Sequence, residues 1–229
     1  MQKIRQFLNT HKHAYAALIF IPLYTNYFVL SHLREPVWVV HSPVDDIIPF
    51  TPPFIIFYCL WFFYISLPLI FLIVKSGPDF LRAVMFLSIG MVICHLVYLF
   101  FPNEITFRAA AEEEIAGQSG FFAGLVKFIY MTDLPRNVFP STHCYESIVI
   151  HITLCHSETG RKYKWMYPIS LFISVMICLS TMFIKQHSFY DVISGVALAF
   201  VILPIVYIPK WKFLQKKDEP ELPTEEPAR

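Results

Sequence analysis

Two histidine-bearing segments, Pro140-Ser141-Thr142-His143 and His187-Ser188-Phe189-Tyr190-Asp191, are separated by two apolar runs. A basic turn at Arg161-Lys162-Tyr163-Lys164 joins these runs. If each run crosses a bilayer, the chain leaves one membrane face, turns at the other and returns. Both histidines then lie at the same face, so the stretch from Leu134 to Gly195 predicts a membrane protein with a histidine pair at one of its ends.

The composition indicates an integral membrane protein. Of the 229 residues, 56% are hydrophobic and only 15% are charged, with a mean hydropathy of +0.53, whereas an ordinary soluble domain is about 25% charged. A chain with so few charges cannot cover a large core with polar surface. The cysteines show no C-x-x-C spacing and lie in or beside apolar runs, which predicts buried thiols rather than a disulfide framework or a zinc ribbon.

Apolar runs along the chain are long enough to cross a bilayer as helices, because a helical span needs about 20 mainly apolar residues. They are continuous rather than alternating, which favours helices over strands. The sequence therefore predicts an all-α integral membrane bundle of six transmembrane helices. The fourth run is the weakest candidate because His143 and Glu146 lie near its start. The predicted spans are residues 14–33, 54–74, 83–101, 138–157, 165–184 and 187–209.

We expect residues 1–212 to form one membrane domain and residues 213–229, which are rich in proline and mixed charge, to form a disordered cytoplasmic tail. The first span is long enough to remain as an anchor rather than to act as a cleaved signal peptide.

Lysine and arginine predict the orientation, because cytoplasmic loops are enriched in them. In the six-span arrangement most of the 18 Lys and Arg residues fall on the face that holds both termini. Both termini are therefore expected in the cytoplasm, with the histidine segments at the outer face of the cell membrane. The basic residues assigned to the outer face are Arg34, Arg108, Lys127, Arg136 and Lys185.

Two segments between the spans differ in character. Residues 34–53, which include Asp45-Asp46, are interpreted as an irregular interfacial loop. Residues 102–139 form a long outer loop, and loops of this length are usually functional or disordered. Apolar residues recur there at helical spacing from Phe121 to Ile129, which predicts an amphipathic helix at the membrane interface. A helix that merely packs over the bundle is an equal alternative.

His187 and Asp191 form the first candidate catalytic pair. Four residues apart on a helix, they lie on one face. The aspartate can accept a hydrogen bond from one imidazole nitrogen and leave the other nitrogen as a nucleophile. The structural alternative is a capping box formed by Ser188-x-x-Asp191. The two interpretations are compatible with each other.

His143 completes the set, because it lies where free backbone N–H groups at a helix start favour an anion. Ser141 and Thr142 either cap this helix or donate hydroxyl groups to a phosphate. The histidines and the aspartate together supply a nucleophile, an orienting carboxylate and a general acid. Cations for a phosphate are expected from Arg108, Arg136 and Lys185, whose alternative role is to anchor lipid headgroups.

These residues resemble a known family. Pro140-Ser141-Thr142-His143 and Ser180-Thr181-x5-His187-x3-Asp191 are similar to the P-S-G-H and S-R-x5-H-x3-D signatures of the type-2 phosphatidic acid phosphatase superfamily. The resemblance implies a six-helix, metal-independent lipid phosphatase or phosphotransferase without a cofactor. It implies that His187 attacks phosphorus, that Asp191 orients it and that His143 protonates the leaving oxygen. It also places Ser180 among the phosphate-binding residues.

The sequence departs from the family pattern at several positions. Thr142 replaces the family glycine, Thr181 replaces the family arginine, and the K-x6-R-P signature survives only as Phe101-x6-Arg108-Ala109. The segment from Arg136 to His143, with Lys185-Gln186-His187, is closer to the inositol phosphorylceramide synthase-like branch. There the three outer-face cations are expected to bind the phosphate instead.

The sequence leaves three functions open. The first is hydrolysis of a lipid phosphate or a polyprenyl diphosphate in contact with membrane lipids. The second is transfer of a phosphoryl or headgroup-phosphoryl unit to an alcohol. The third is a non-enzymatic transporter or lipid-binding protein. No basic face suggests nucleic acid, and the oligomeric state is open. Glu146 is an intramembrane carboxylate and thus a functional candidate, while His95 and His151 are interpreted as polar packing rather than haem ligands.

Overall fold

The computed structural model describes residues 9–209 and residue 211, and this part of the chain is helical apart from two short strands and the connecting segments. Short 3-10 helices precede α1 and α3, at Lys12–Ile19 and Pro52–Phe54. The predicted tail, residues 213–229, lies outside the described residues. The α-helices are α1 (Phe20–Leu33), α2 (Pro43–Ile47), α3 (Ile55–Lys75), α4 (Gly77–Phe100), α5 (Arg108–Ala116), α6 (Phe121–Thr132), α7 (Thr142–His156), α8 (Glu158–Lys162), α9 (Met166–Phe183) and α10 (Phe189–Tyr207).

The all-α prediction is confirmed, and the described chain holds 5 helices that are long and apolar enough to cross a membrane. These are Lys12–Leu33, Pro52–Lys75, Gly77–Phe100, Met166–Phe183 and Phe189–Tyr207. The weakest of the predicted spans is the 15-residue helix α7, which falls short of that length.

Helix α7 begins at Thr142 rather than at Val138, because the preceding segment is held in place by a side chain. The Oδ1 of Asn103 accepts hydrogen bonds from the backbone N–H groups of Val138 and Phe139, at 2.9 Å each. The Nδ2 of Asn103 donates to the carbonyl of Phe139 at 3.1 Å. A helix that began at Val138 would leave these N–H groups free but would need the carbonyl of Phe139 as an acceptor. That carbonyl is already bound by Asn103, and α7 starts at the cap that Ser141 provides.

The shortest of the candidate spans lies at the centre of the bundle. Helix α7 packs against α3, α4, α9 and α10, and its residues from His143 to Ile150 are all buried. Because this part of α7 is enclosed by other helices, its polar side chains must find partners inside the protein. Ser174 of α9, for example, donates to the carbonyl of Ser147 at 3.0 Å, and Tyr64 of α3 contacts Ser170 and Ser174.

The connecting segments fold over one end of this bundle. Strand β1 (Trp38–Val39) pairs in parallel with strand β2 (Asn103–Glu104), and Glu104 forms an antiparallel bridge with Arg136. The segment expected to be irregular therefore contains a strand and the helix α2. The predicted helix at residues 121–129 is observed as α6. Its buried side packs on α5 and on the start of α3, through residues such as Val126 and Ile55.

Candidate active site

The pair His187 and Asp191 lies at the start of α10. The Nδ1 of His187 is 3.3 Å from Oδ2 of Asp191, and both side chains are buried. The same carboxylate oxygen accepts the backbone N–H of Ser188 at 2.8 Å, and Ser188 caps the helix in return. The structure thus contains both arrangements that the sequence allowed, the capping box and the histidine–carboxylate pair.

The predicted histidine pair comes together in the structure. The Nδ1 of His143 lies 3.2 Å from Nε2 of His187. His143 is the second residue of α7, where the Oγ of Ser141 accepts the N–H of Cys144 at 3.3 Å and caps the helix. The rings of Tyr58 and Trp61 flank His143, with centroids 4.8 Å and 4.5 Å from its own. A buried His–His–Asp chain results.

A close approach between α7 and α10 makes this contact possible. The backbone N–H of Ser141 donates to the carbonyl of Asp191 at 3.1 Å. Gly195 lies one turn further along α10, and a Cβ there would be only 2.4 Å from the carbonyl oxygen of Ser141. No side chain larger than hydrogen fits without moving backbone, so Gly195 lets the two helices bring their histidines together.

Asp45 of α2 is a site residue that the sequence interpretation missed. Its Oδ2 accepts the hydroxyl of Ser188 at 2.6 Å, and its Oδ1 accepts the backbone N–H of Phe189 at 2.8 Å. The N–H of Ser42 also donates to Asp45, which belongs to a capping box of its own helix. The buried Asp45 therefore ties the residues after His187 to α2. The Ser42-x-x-Asp45 spacing was a signal for a helix start, but not for this contact.

The carboxylate of Asp191 changes the proton affinity of His187. Burial by itself lowers the pKa of an imidazole, since it penalises the charged form. The hydrogen bond and the negative charge of Asp191 outweigh this effect and raise the pKa of His187 above its ordinary value. The proton that this pair holds most firmly is thus on Nδ1, and the lone pair of the neutral ring is on Nε2, next to His143.

The three predicted phosphate-binding cations all contact protein acceptors. Arg108 is buried and donates to Glu112, to Gln186 and to the carbonyls of Tyr130 and Asp133, at distances of 2.6 to 2.7 Å. Its guanidinium also stacks on the Tyr130 ring. Because Gln186 directly precedes His187, the hydrogen bond from Arg108 to Gln186 holds the segment between α9 and α10 that carries His187.

The other two cations are more exposed than Arg108. Lys185 has a backbone φ of 55°, an uncommon conformation for lysine, and its Nζ donates to the carbonyls of Asp45 and Ile48 at 2.8 and 2.5 Å. Burial lowers the pKa of Lys185. Arg136 pairs with Glu35 at 2.9 Å, and the carboxylate of Glu35 is largely exposed to solvent. Arg136 is thus the cation that can most easily exchange its partner.

The hydroxyl groups that were predicted to bind phosphate differ in their position. Thr142 lines a cavity beside His143, whereas Ser141 is fully buried as the helix cap. Ser180 is also fully buried and donates to the carbonyl of Ile177 within its own helix at 2.7 Å. Of these side chains, Thr142 has the most direct access to the space next to the histidines.

That space is a cavity of about 190 Å³ whose walls include His143, Thr142, Glu146, Asp133 and His95. Asp133 was not predicted as a site residue. Its carboxylate accepts hydrogen bonds from the phenols of Tyr58 and Tyr27. A lone aspartate in a long loop carries no motif, so only the fold reveals its position.

These features define the class of protein as a multi-pass membrane protein with a buried histidine pair at one end of its bundle. Residues 100–214, half of the chain, match the model of the PAP2 superfamily, and the chain belongs to that superfamily.

Relatives with a more specific description match a shorter segment. The chain is 29% identical over 83 residues to sphingosine-1-phosphate phosphatase 2 of Mus musculus and 30% identical over 83 residues to that of Homo sapiens. The match covers 34% of this chain and 23% and 20% of the two proteins, so it spans about a fifth of their length. No solved structure matches the chain.

Proposed function

We propose that the protein hydrolyses a lipid phosphate or a polyprenyl diphosphate through a phosphohistidine intermediate and without a metal ion. The observation that carries this proposal is the buried chain of contacts from Asp191 through His187 to His143. It presents one imidazole nitrogen as a nucleophile and a second imidazole as a proton donor. Membership of the PAP2 superfamily and similarity to proteins named as lipid phosphate phosphatases support this chemistry.

The reaction follows from the protonation of the two rings. Nε2 of His187 attacks phosphorus while the bond between phosphorus and the leaving oxygen breaks, and His143 gives its proton to that oxygen. His143, now neutral, then takes a proton from water, which attacks phosphorus and breaks the phosphorus–nitrogen bond. Inorganic phosphate leaves, His187 is free again and His143 is protonated for the next cycle.

Phosphorus must enter between two nitrogens that are 3.2 Å apart. The imidazole rings therefore have to separate by side-chain rotation when the substrate binds. We propose that Arg136, Lys185 and Arg108 bind the phosphoryl oxygens, with hydroxyl groups from Thr142, Ser141 and Ser180. Arg108 would do so by exchanging Gln186 for substrate, and Arg136 by exchanging Glu35.

We further propose that α7 crosses the membrane as the sixth span, shielded from lipid by its neighbours. Residues 1–212 then form one catalytic domain, with both termini in the cytoplasm and the histidine pair at the outer face. The distribution of Lys and Arg supports this orientation. Helices α5 and α6 lie over the site, and the exposed Phe121, Phe122 and Phe128 suit contact with the membrane interface.

Transfer of the phosphoryl group to an alcohol is the second candidate function. We base it on the sequence resemblance of residues 136–143 and 185–187 to the inositol phosphorylceramide synthase-like branch; the comparisons match the superfamily and do not confirm that branch. The same histidines would serve, and the acceptor would replace water in the second step. Product analysis with and without added alcohol acceptors distinguishes transfer from hydrolysis.

The test is a phosphate-release assay with purified protein in detergent and a chelator, across lipid monophosphates and polyprenyl diphosphates. We expect release without added metal, an acid-labile phosphoenzyme in a rapid quench, and loss of both in His187→Ala. His156→Ala is the matched control, because that histidine lies at the other end of α7, where it contacts the carbonyl of Ile152 and the ring of Tyr207. Release that requires a divalent metal, or persists in His187→Ala, would refute the mechanism.

A further inference from the structure

The proposed reaction needs a proton that the resting histidine pair does not hold. Nε2 of His187 lies 3.2 Å from Nδ1 of His143, and the contact with Asp191 leaves the lone pair of His187 on Nε2. A neutral His143 therefore carries its single proton on Nδ1. Without that proton the ring would be an anion, whereas the stable forms of imidazole carry one or two N–H protons. A second proton must bind to Nε2 of His143 before the first can go to the leaving oxygen.

The cavity of about 190 Å³ is the route by which such a proton can reach His143. Nε2 of His143 has no hydrogen-bond partner among the described residues, and the ring forms one wall of the cavity. Glu146 forms another wall. It follows His143 by three residues on α7, a spacing that places both side chains on one face of the helix. A proton on Glu146 thus has a short path to His143.

Glu146 is a buried carboxyl group without a neighbouring cation. Its only hydrogen-bond donor among the described residues is the phenol of Tyr24, at 3.2 and 3.4 Å. No Lys or Arg of the described chain lies within ion-pair distance of it. An isolated buried charge is so costly that a carboxyl group in these surroundings favours its neutral form. A neutral acid has a proton to give, and it does not repel a phosphate bound by Thr142 in the same cavity.

Asp133 is the other carboxyl group of the cavity, and its surroundings differ. Its two oxygens accept hydrogen bonds from the phenols of Tyr58 and Tyr27. Hydrogen bonds of this kind favour the charged form of a carboxyl group. Asp133 also precedes α7 and does not share the helix face of His143. Of the two carboxyl groups, Glu146 is the better proton donor.

A buried donor in the same cavity indicates that water can link Glu146 to His143. His95 of α4 lines the cavity, and its Nε2 has no hydrogen-bond partner among the described residues. Because Asn26 donates to Nδ1 of His95 at 3.3 Å, Nε2 carries the proton. Buried donors without a protein partner are normally satisfied by ordered water, and a polar cavity of this size has room for it.

From these features we infer that Glu146 stores the second proton that His143 needs and passes it through the shared cavity when substrate binds. The inference rests on the proposed function and adds a residue to it. Glu146 does not touch the phosphoryl group; it acts through His143. The anionic phosphate triggers the transfer, because a negative charge next to His143 favours the imidazolium.

The proton returns to Glu146 at the end of each cycle. The O–H bond of Glu146 breaks and an N–H bond forms at Nε2 of His143. His143 then gives its Nδ1 proton to the leaving oxygen as Nε2 of His187 bonds to phosphorus, and the ring remains neutral with a proton on Nε2. When water attacks the phosphohistidine, Nδ1 takes the proton of that water. The Nε2 proton goes back to Glu146, which restores the resting state.

The test compares an alkyl lipid phosphate with a nitrophenyl phosphate ester in Glu146→Gln, a variant of equal size that has no acidic proton. Hydrolysis of the alkyl ester should fall by about 100-fold, the lower end of the usual contribution of general acid catalysis, because solvent can still protonate His143. The nitrophenyl ester, whose leaving oxygen needs no proton, should react at close to the wild-type rate. Glu113→Gln, on the exposed surface of α5, is the matched control and should leave both rates unchanged.

The pH profile gives a second measurement that a purely structural role of Glu146 would not change. In the wild-type protein, the alkyl ester is hydrolysed until the pH is high enough for the pair of Glu146 and His143 to lose its shared proton. In Glu146→Gln the proton must come from solvent, so the basic limb of kcat/KM should move to lower pH for the alkyl ester alone. The other titratable groups facing Glu146 are the same in both proteins: Tyr24 and Tyr27 of α1, Cys94 and His95 of α4, Asp133, and His143 and Tyr145 of α7.

Equal losses for both esters in Glu146→Gln, or an unchanged basic limb, would overturn the inference. So would a selective loss of alkyl ester hydrolysis in Asp133→Asn that Glu146→Gln does not show, since it would assign the proton to Asp133. The phosphoenzyme separates these failures from failure of the proposed function. If the nitrophenyl ester forms no acid-labile phosphoenzyme in the wild-type protein, the phosphohistidine mechanism itself is wrong. If the phosphoenzyme forms and Glu146→Gln behaves as wild type, only the role of Glu146 is wrong.

Discussion

The Nδ1 of His143 lies 3.2 Å from Nε2 of His187, and this contact links the tautomers of the two rings. Because Asp191 accepts a hydrogen bond from Nδ1 of His187, Nε2 carries the lone pair. The hydrogen bond between the rings then requires the proton to lie on Nδ1 of His143. The nucleophilic nitrogen of His187 is thus unprotonated in the resting site. To give a proton to the leaving oxygen and become neutral, as the proposed mechanism requires, His143 must first take up a second proton.

The proton on His143 should matter only when the leaving group is a poor one. His143→Ala is expected to slow hydrolysis of an alkyl lipid phosphate by about 100- to 10,000-fold, the usual contribution of general acid catalysis. A nitrophenyl phosphate ester, whose leaving oxygen needs no proton, should lose much less activity. Equal losses for both substrates in steady-state assays would show that His143 does not protonate the leaving group.

The carboxylate of Asp191 should shift the pH profile. Protonated His187 cannot attack phosphorus, so activity rises as the pH increases through its pKa. Asp191 raises that pKa, and removing its charge in Asp191→Asn lowers it. We expect the acidic limb of kcat/KM to move to lower pH and the maximal rate to fall by roughly 100- to 10,000-fold. An acidic limb that stays in place would assign it to a group other than His187.

The cations differ in how firmly the protein holds them. In the ion pair between Arg136 and Glu35, the side chain of Glu35 is largely exposed to solvent. Such surface ion pairs contribute only about 0–1 kcal/mol to the free energy of unfolding. Arg136→Gln should therefore raise KM by roughly 10-fold without a change in stability, as expected for loss of a charged hydrogen bond. Glu35→Gln, which removes a competitor for Arg136, should lower KM. If both variants leave KM unchanged, Arg136 does not bind the phosphate.

The packing of Gly195 on Ser141 gives a prediction about geometry. In Gly195→Ala the new methyl group would meet the carbonyl of Ser141, so α10 must shift away from α7. Overpacking of this kind costs about 1–3 kcal/mol, and a displacement of about 1 Å at the reacting groups reduces the rate roughly 100-fold. Gly124→Ala is the control, because nothing lies within 4 Å of its Cβ position. A Gly195→Ala protein with wild-type activity would refute the close-packing account.

Sequence alone could predict the histidine pair because two membrane crossings leave little choice of face. It could not predict the partners of Arg108 and Lys185. Most of these are backbone carbonyls, those of Tyr130, Asp133, Asp45 and Ile48. Every residue has a carbonyl group, so such acceptors leave no pattern in the sequence.

The hydropathy of the sequence likewise could not predict the residue at which α7 begins. Val138 and Phe139 continue the apolar run, but Asn103 binds their backbone N–H groups from 35 and 36 residues away. Periodicity records only what is local, whereas this boundary depends on a distant side chain. The same holds for Asp45, whose local capping pattern concealed a contact with Ser188 over 143 residues.

If His187 is the nucleophile, as proposed, that distant contact makes Asp45 a positioning residue for it. Asp45→Ala leaves the buried hydroxyl of Ser188 and the N–H of Phe189 without their acceptor, at a cost of about 1–3 kcal/mol for each group. We expect a lower melting temperature and a fall in kcat with little change in KM, because the loop that carries His187 loosens while the phosphate cations remain. Asp46→Ala is the matched control, since the neighbouring Asp46 is exposed and pairs with His41 rather than with Ser188 or Phe189. If the two variants lose activity equally, Asp45 has no special role. If Asp45→Ala raises KM instead of lowering kcat, it acts on substrate binding rather than on the orientation of His187.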